Sequence, residues 1–176
     1  VNEDKVLMTK FQNGDKYSFE QLILKYRNTG ISFAKRFLHD RYMAEDVVQE
    51  SFAYIYVYRD RYNDKYSFKT YLFTIIRNKS IDYIRKENRI VLYKDDSFVD
   101  LNSPEERVIE KEDKDLLNIS INKLNDSYRT AIYLIDYEGF KYKEAAKIMG
   151  KNLAQMKILI YRARKKLKCL LEKGGY

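Results

Sequence analysis

Apolar residues along this chain recur at three- and four-residue steps rather than in strict alternation, the period of helices with one buried face. In residues 19–37 the repeat is carried by Phe19, Leu22, Ile23, Tyr26, Ile31 and Ala34, with Ser18 as the expected N-cap. Gly30 falls inside this stretch and marks either a bend or a close approach. Residues 44–58 predict a second helix, with Val47, Val48, Phe52, Ile55 and Tyr56 as its stripe. Glu45, Asp46, Gln49 and Glu50 lie towards another face. A polar stretch at 62–67, rich in Tyr, Asp and Asn, reads as a loop. Residues 68–87 predict a third helix, striped by Leu72, Ile75, Ile76, Ile81 and Ile84. Its other side carries Lys69, Arg77, Lys79, Arg85 and Lys86.

The helical period is lost over 89–104, which reads as a linker. Ser103-Pro104-Glu105-Glu106 has the form of a helix start, with Ser103 as N-cap and Pro104 at the first helical position. From Leu116 the period returns through Leu117, Ile119, Ile121 and Leu124, and Asn125-Asp126-Ser127 supplies a capped turn. Short helices are expected at 128–137 and 142–149, the first broken by Glu138-Gly139-Phe140 and the second ended by Gly150. A long basic helix follows at 153–173. The expected fold class is all-α: two small helical domains, 1–93 and 116–176, joined by a flexible acidic linker at 94–115. The C-terminal one reads as a helix-turn-helix.

Charge sharpens this division. The whole chain of 176 residues carries a formal +8, a modest excess, but its distribution is blocky. Residues 59–94 hold ten basic and four acidic side chains, 94–115 four basic and nine acidic, and 141–173 eleven basic and two acidic. Two basic blocks around an acidic spacer point to two anion-binding surfaces. One Cys and one His exclude a disulfide framework and the common zinc sites. No Gly-rich phosphate loop, no nucleophile triad and no metal spacing is present. The expectation is a chain with no catalysis, cofactor or metal of its own, with His39 and Cys169 structural. Residues 1–10 lack the basic and apolar regions of a signal peptide, and no apolar run approaches a membrane span. No membrane insertion and a cytoplasmic location are therefore expected.

Three constellations carry chemistry. In the first, at 141–168, small Ala145 and Ala146 allow close helix crossing, and the second helix places Lys157, Arg162, Arg164, Lys165 and Lys168 off its buried stripe, available to phosphates. In the second, at 62–89, Tyr62, Tyr66, Phe68, Tyr71 and Phe73 interleave with Lys65, Lys69, Arg77, Lys79, Arg85 and Arg89. Cations hold phosphates while rings stack on unpaired bases, so this pattern suits melted rather than intact duplex. In the third, the acidic and amide face of 45–50 suits docking on a basic partner helix.

In this order the segments resemble bacterial RNA polymerase sigma factors of the small, two-domain extracytoplasmic-function type. Ala44-Glu45-Asp46-Val47-Val48-Gln49-Glu50-Ser51-Phe52 is similar to the family's polymerase-binding helix. Residues 68–86 are similar to its promoter-melting and −10-reading segment, with Tyr71 where the family often has Trp. Glu144-Ala145-Ala146-Lys147-Ile148-Met149-Gly150 and Tyr161-Arg162-Ala163-Arg164-Lys165-Lys166-Leu167 resemble its −35-reading helix-turn-helix. The resemblance implies that Asp46, Gln49 and Glu50 dock on the clamp helices of the polymerase beta-prime subunit, with the beta flap as a further contact. It implies that Arg59, Tyr66, Phe68, Tyr71, Arg77, Asn78, Lys79 and Arg85 meet the −10 strand. Asn152, Lys157, Ile158, Tyr161, Arg162 and Lys165 would meet the −35 element. Core RNA polymerase, promoter DNA and an anti-sigma factor are the implied partners.

Two departures stand out. The family's Leu-Pro before the fourth region reads Leu124-Asn125, which a turn tolerates. In the recognition helix, Ala154-Gln155-Met156-Lys157-Ile158-Leu159 puts Ile158 and Leu159 where the family has a polar residue and an Arg. Ile158 is expected to face away from the core, where it can touch a thymine methyl but make no bidentate base contact; packing on another protein is the alternative. For the whole chain, the alternative reading is a stand-alone helix-turn-helix regulator that does not bind core polymerase, followed by a carboxylate nuclease.

Overall fold

The structure, a computed structural model, describes residues 2–94 and 112–174. Among these residues every regular element is helical, and the chain divides into two units after Lys94. Ser103, Pro104 and most of the expected acidic linker lie outside the described residues.

The first unit contains α1 (Glu3–Gln12), α2 (Lys16–Ala34), α3 (Arg41–Val57), a 3₁₀ turn (Arg59–Arg61) and α4 (Phe68–Lys94). Helix α1 is not foreshadowed by the apolar pattern, because one of its three buried residues is an acid: Asp4, Met8 and Phe11 face inward. Asn2 caps it by accepting from the Asp4 backbone N–H at 3.1 Å. The buried Asp4 carboxylate is compensated by Lys25 at 2.6 Å and by the Tyr26 hydroxyl, as a charge removed from water requires. The Asp4 hydrogen bond in turn raises the pKa of Lys25. Burial, and then the same carboxylate, pushes the Tyr26 hydroxyl well above its usual value. Phe11 stacks on Phe19 with centroids 4.3 Å apart and fixes α1 on α2.

Helix α2 starts one turn earlier than its apolar period suggests. Its N-cap is Asp15, which accepts from the Tyr17 N–H, and not Ser18. Ser18 is buried and donates its hydroxyl to Asp15 at 2.7 Å, a bond that lowers the Asp15 pKa. Gly30 marks a close approach, not a bend: a Cβ there would lie 3.1 Å from Ile76 Cδ1 and 3.4 Å from Val48 Cγ1. Glycine thus lets α3 and α4 close on α2. Asp40 caps α3, accepting from Met43 N–H at 3.0 Å. Helix α4 continues past residue 87 to Lys94, through residues expected to begin the linker. No Gly or Pro interrupts 88–94, and extending a nucleated helix costs little. The three long helices bury Leu22, Phe33, Val48, Ile55, Phe68, Leu72, Phe73 and Ile76.

The second unit contains α5 (Glu112–Asn122), α6 (Asp126–Ile132), α7 (Tyr142–Ile148) and α8 (Leu153–Glu172). Helix α5 begins inside the stretch expected to be linker. Asn125 caps α6 by accepting from Tyr128 N–H at 2.9 Å. The helix expected at 128–137 is two pieces, since Tyr133–Tyr137 forms a wider π-type turn closed by Glu138 N–H on Tyr133 C=O at 2.9 Å. Gly150 takes φ +63 just after α7, the left-handed position a chain reversal into α8 needs. Leu134, Phe140, Ala145, Met156, Ile160 and Ala163 are buried. No described helix is long and apolar enough to cross a membrane.

Candidate nucleic-acid interfaces

On α3, Asp46, Gln49 and Glu50 are exposed while the intervening Val47 and Val48 are buried. The packing stripe therefore turns an acidic and amide edge outward. Beside it, α2 and α3 leave an open groove of about 800 Å³ whose walls include Phe19, Ile23, Phe52 and Tyr56, with Asp46 and Gln49 on its border.

Loop 62–67 and α4 bring most of the second constellation together. Tyr62 is 8% exposed and its ring lies 5.3 Å from that of the half-buried Tyr71. Burial raises the pKa of both hydroxyls. Phe68 corrects an expectation: it is 0% exposed and sits 5.6 Å from Tyr26, ring to ring. It cannot stack on a base; it seats the first turn of α4. Its place one helical turn before Leu72 was the available signal. Tyr66 is half-buried, Arg59 partly so, and Asn78 exposed. Arg77 is half-buried with no carboxylate partner among the described residues; burial, and then the charge of Arg85, lowers its pKa. A partly desolvated lone cation of this kind is well suited to a phosphate. Arg85 pairs at 3.7 Å with Asp82 on its own helix. Lys79 pairs at 3.4 Å with Glu50, so residues expected at two different interfaces neutralise each other across α3 and α4.

Sequence reasoning passed over Arg61. Its guanidinium lies 4.2 Å from the Tyr58 ring centroid and donates to the Tyr54 hydroxyl at 2.9 Å. The spacing of Tyr54 and Tyr58, one turn apart at the end of α3, was the clue. Arg61 and Lys65 are exposed and Tyr66 is half-buried, so the loop offers two cations and a ring over positions 61–66.

On α8, Met156, Ile160, Ala163 and Leu170 face the core. Lys157, Ile158, Tyr161, Arg162 and Lys165 are all exposed, Ile158 by 52% and Tyr161 by 67%. Asn152 is the helix's N-cap: its side-chain oxygen accepts from Gln155 N–H at 2.8 Å, and Gln155 returns the bond to Asn152 N–H at 3.0 Å. Its oxygen is thus committed to holding the helix start. Arg164, also exposed, is paired within the unit. It grips Asp136 with two nitrogens and reaches Tyr142 at 3.3 Å, tying the π-type turn and α7 to α8. Its pKa is raised, mainly by the Asp136 bond. Among the described residues no three of His, Cys, Asp and Glu gather as a metal site.

Residues 22–90 match the family described as Sigma-70 region 2, and residues 120–167 match Sigma-70, region 4. The ECF RNA polymerase sigma factor SigM of Bacillus subtilis (strain 168) is 33% identical over 159 residues, spanning 89% of this chain and 97% of its own length. The RNA polymerase sigma-H factor of Pseudomonas aeruginosa is 29% identical over 174 residues, spanning 92% of this chain and 90% of its own. Among solved structures, the sigma factor RpoE from Bartonella quintana, in complex with the anti-sigma factor NepR, superposes with a TM-score of 0.69 at 30% identity, covering 88% of this chain and 96% of that one. CnrH, in complex with the cytosolic domain of CnrY, shares the fold with a TM-score of 0.69 at 24% identity, covering 98% of this chain and 99% of that one. Two sigma-70 regions in order do not favour a free-standing regulator. The chain belongs to the extracytoplasmic-function sigma factors, which direct promoter-specific transcription.

Proposed function

We propose that the three surfaces divide the work of initiation. Asp46, Gln49 and Glu50 dock on the beta-prime clamp helices of core RNA polymerase, with the apolar groove beside them taking the partner's buried side chains, and the beta flap is a second contact. Loop 59–67 and the face of α4 bearing Arg77, Asn78, Lys79 and Arg85 hold the melted −10 strand, with Tyr66 and Tyr71 around the extruded base. Unstacking a base costs a few kcal/mol, which a ring surface and fixed cations offset. The −35 element lies against Lys157, Ile158, Tyr161, Arg162 and Lys165 of α8. An anti-sigma factor would act by covering the α3 edge or the α8 face. The chain supplies binding and orientation; the polymerase performs the chemistry.

One observation carries the reading: the exposed cations of α8 stand on the face opposite its buried stripe, on the second helix of a helix-turn-helix. With Ile158 in the middle of that face, sequence is read through methyl contact and DNA shape more than through base hydrogen bonds. The test is promoter opening. The chain with its cognate core polymerase is expected to make −10 thymines reactive to permanganate on its own promoter, while core alone leaves them protected. Protection in both samples, with the chain bound to duplex DNA, contradicts the proposal.

A further inference from the structure

Helix α1 lies outside the span matched to region 2, which begins at residue 22. It nevertheless touches the loop between α3 and α4 through three side chains, Lys5, Phe11 and Gln12. The side-chain amide of Gln12 donates to the backbone carbonyl of Arg59 at 2.9 Å and to that of Tyr62 at 3.1 Å. Lys5 forms an ion pair with Asp64, and this bond holds the Asp64 carboxyl below its usual pKa. The Arg59 guanidinium lies 5.8 Å from the Phe11 ring centroid.

The Gln12 contacts are the specific ones. An amide nitrogen has two N–H donors, and here each meets a different main-chain oxygen. Those two oxygens sit at the two ends of the turn from Arg59 to Tyr62, itself closed by Tyr62 N–H on Arg59 C=O at 3.3 Å. Fixing both ends sets where Arg61 emerges and where the chain enters 63–67. From there the Tyr62 hydroxyl donates to Tyr66 C=O at 3.2 Å, passing the constraint to the far side of the loop. Gln12 is separated from these partners by 47 and 50 positions, so the contact ties the loop to a distant part of the chain.

We infer that Gln12 is a positioning residue for −10 recognition: α1 holds the backbone of loop 59–67 in the shape that presents Arg61, Lys65 and Tyr66 to the unpaired strand. This rests on the reading that the loop meets the −10 strand. It assigns sequence discrimination partly to a helix outside the loop itself.

Three variants assembled with core polymerase test it, read by open-complex formation on a set of −10 base substitutions. Gln12→Ala removes both donors and leaves two carbonyls to water. Gln12→Glu keeps the shape but turns a charged acceptor towards two acceptors, so it is expected to be the worse of the two. Tyr66→Ala is the control for the loop itself. The expected result is opening reduced about tenfold by Gln12→Ala and further by Gln12→Glu. Preference among −10 bases flattens, while core affinity stays within about twofold and the melting temperature within a few degrees. A merely structural role would lower melting and core binding in step with opening and would leave the preference among −10 bases intact. If Tyr66→Ala flattens −10 preference and both Gln12 variants match wild type, the role of Gln12 is overturned and the loop reading stands. If Tyr66→Ala also leaves opening and preference unchanged, the loop reading falls and this inference with it.

Discussion

Phe33→Ala is expected to bring the first unit close to unfolding at growth temperature. The Phe33 side chain is 0% exposed. It stacks on Phe73 of α4 with centroids 4.6 Å apart and planes 20° from parallel, and meets Phe37 edge-on at 5.2 Å. It therefore ties the end of α2 to α4 across the core, next to the tight Gly30 crossing. Truncating a buried Phe removes its transfer free energy and leaves a cavity, together about 3–5 kcal/mol. A unit of this size has roughly 5–15 kcal/mol to lose. At about 4–8 °C per kcal/mol the midpoint should fall by more than about 12 °C. Thermal melting followed by circular dichroism checks this, and a fall of only a few degrees would show that the α2–α4 seam is not where stability resides.

The second large effect is expected on α8. Replacing Lys157, Arg162 and Lys165 together by Ala removes three exposed cations from one face without touching Met156, Ile160 or Ala163. If each meets one phosphate, the slope of log affinity against log salt falls by about 0.9 per cation, and affinity for −35 duplex drops roughly a hundredfold at 0.15 M salt. The loss should be similar for cognate and unrelated duplexes, because phosphate contacts position without specifying. Arg164→Ala is the informative contrast. Its guanidinium is already committed to Asp136, so its loss should loosen the packing of α8 more than it changes the salt slope. Salt titrations by fluorescence anisotropy separate the two, and an unchanged slope in the triple variant would remove α8 as the phosphate-bearing surface.

The parts of the fold legible in the sequence are those with a strong apolar period. Helices α2, α3 and α8 each bury one stripe, and Met156, Ile160, Ala163 and Leu170 fall where that period puts them. What escaped depended on contacts distant in the chain or on polar burial. Asp4 is an inward-facing acid whose partners Lys25 and Tyr26 lie a whole helix away, so α1 offers no clean stripe. Asp15 displaced Ser18 as a cap because a carboxylate one turn earlier satisfies both the Tyr17 amide and the Ser18 hydroxyl. At the site, composition drew attention to rings among cations but could not say which side of α4 each ring takes. Tyr71 stays half-buried at the surface, whereas Phe68 is core. The three exposed residues of α3 needed no such correction, because Val47 and Val48 between them fix which way the helix faces. Gln12 meets partners 47 and 50 positions away and had no motif to announce it, whereas the Tyr54 and Tyr58 rings beside Arg61 were a local signal that went unread.

Whether the α3 edge holds core polymerase is decided by a binding measurement. Purified chain is mixed with its cognate core RNA polymerase and followed by size-exclusion co-migration, wild type beside Asp46→Ala/Glu50→Ala. Both side chains are exposed, so the double variant should fold and melt as wild type does, within about 0.5 kcal/mol per substitution. The expected result is a stable wild-type complex and a variant weakened more than about tenfold, as truncating interfacial charges does. Failure of the folded wild-type chain to join core polymerase, or equal binding by the double variant, would contradict the placement of the polymerase contact on α3.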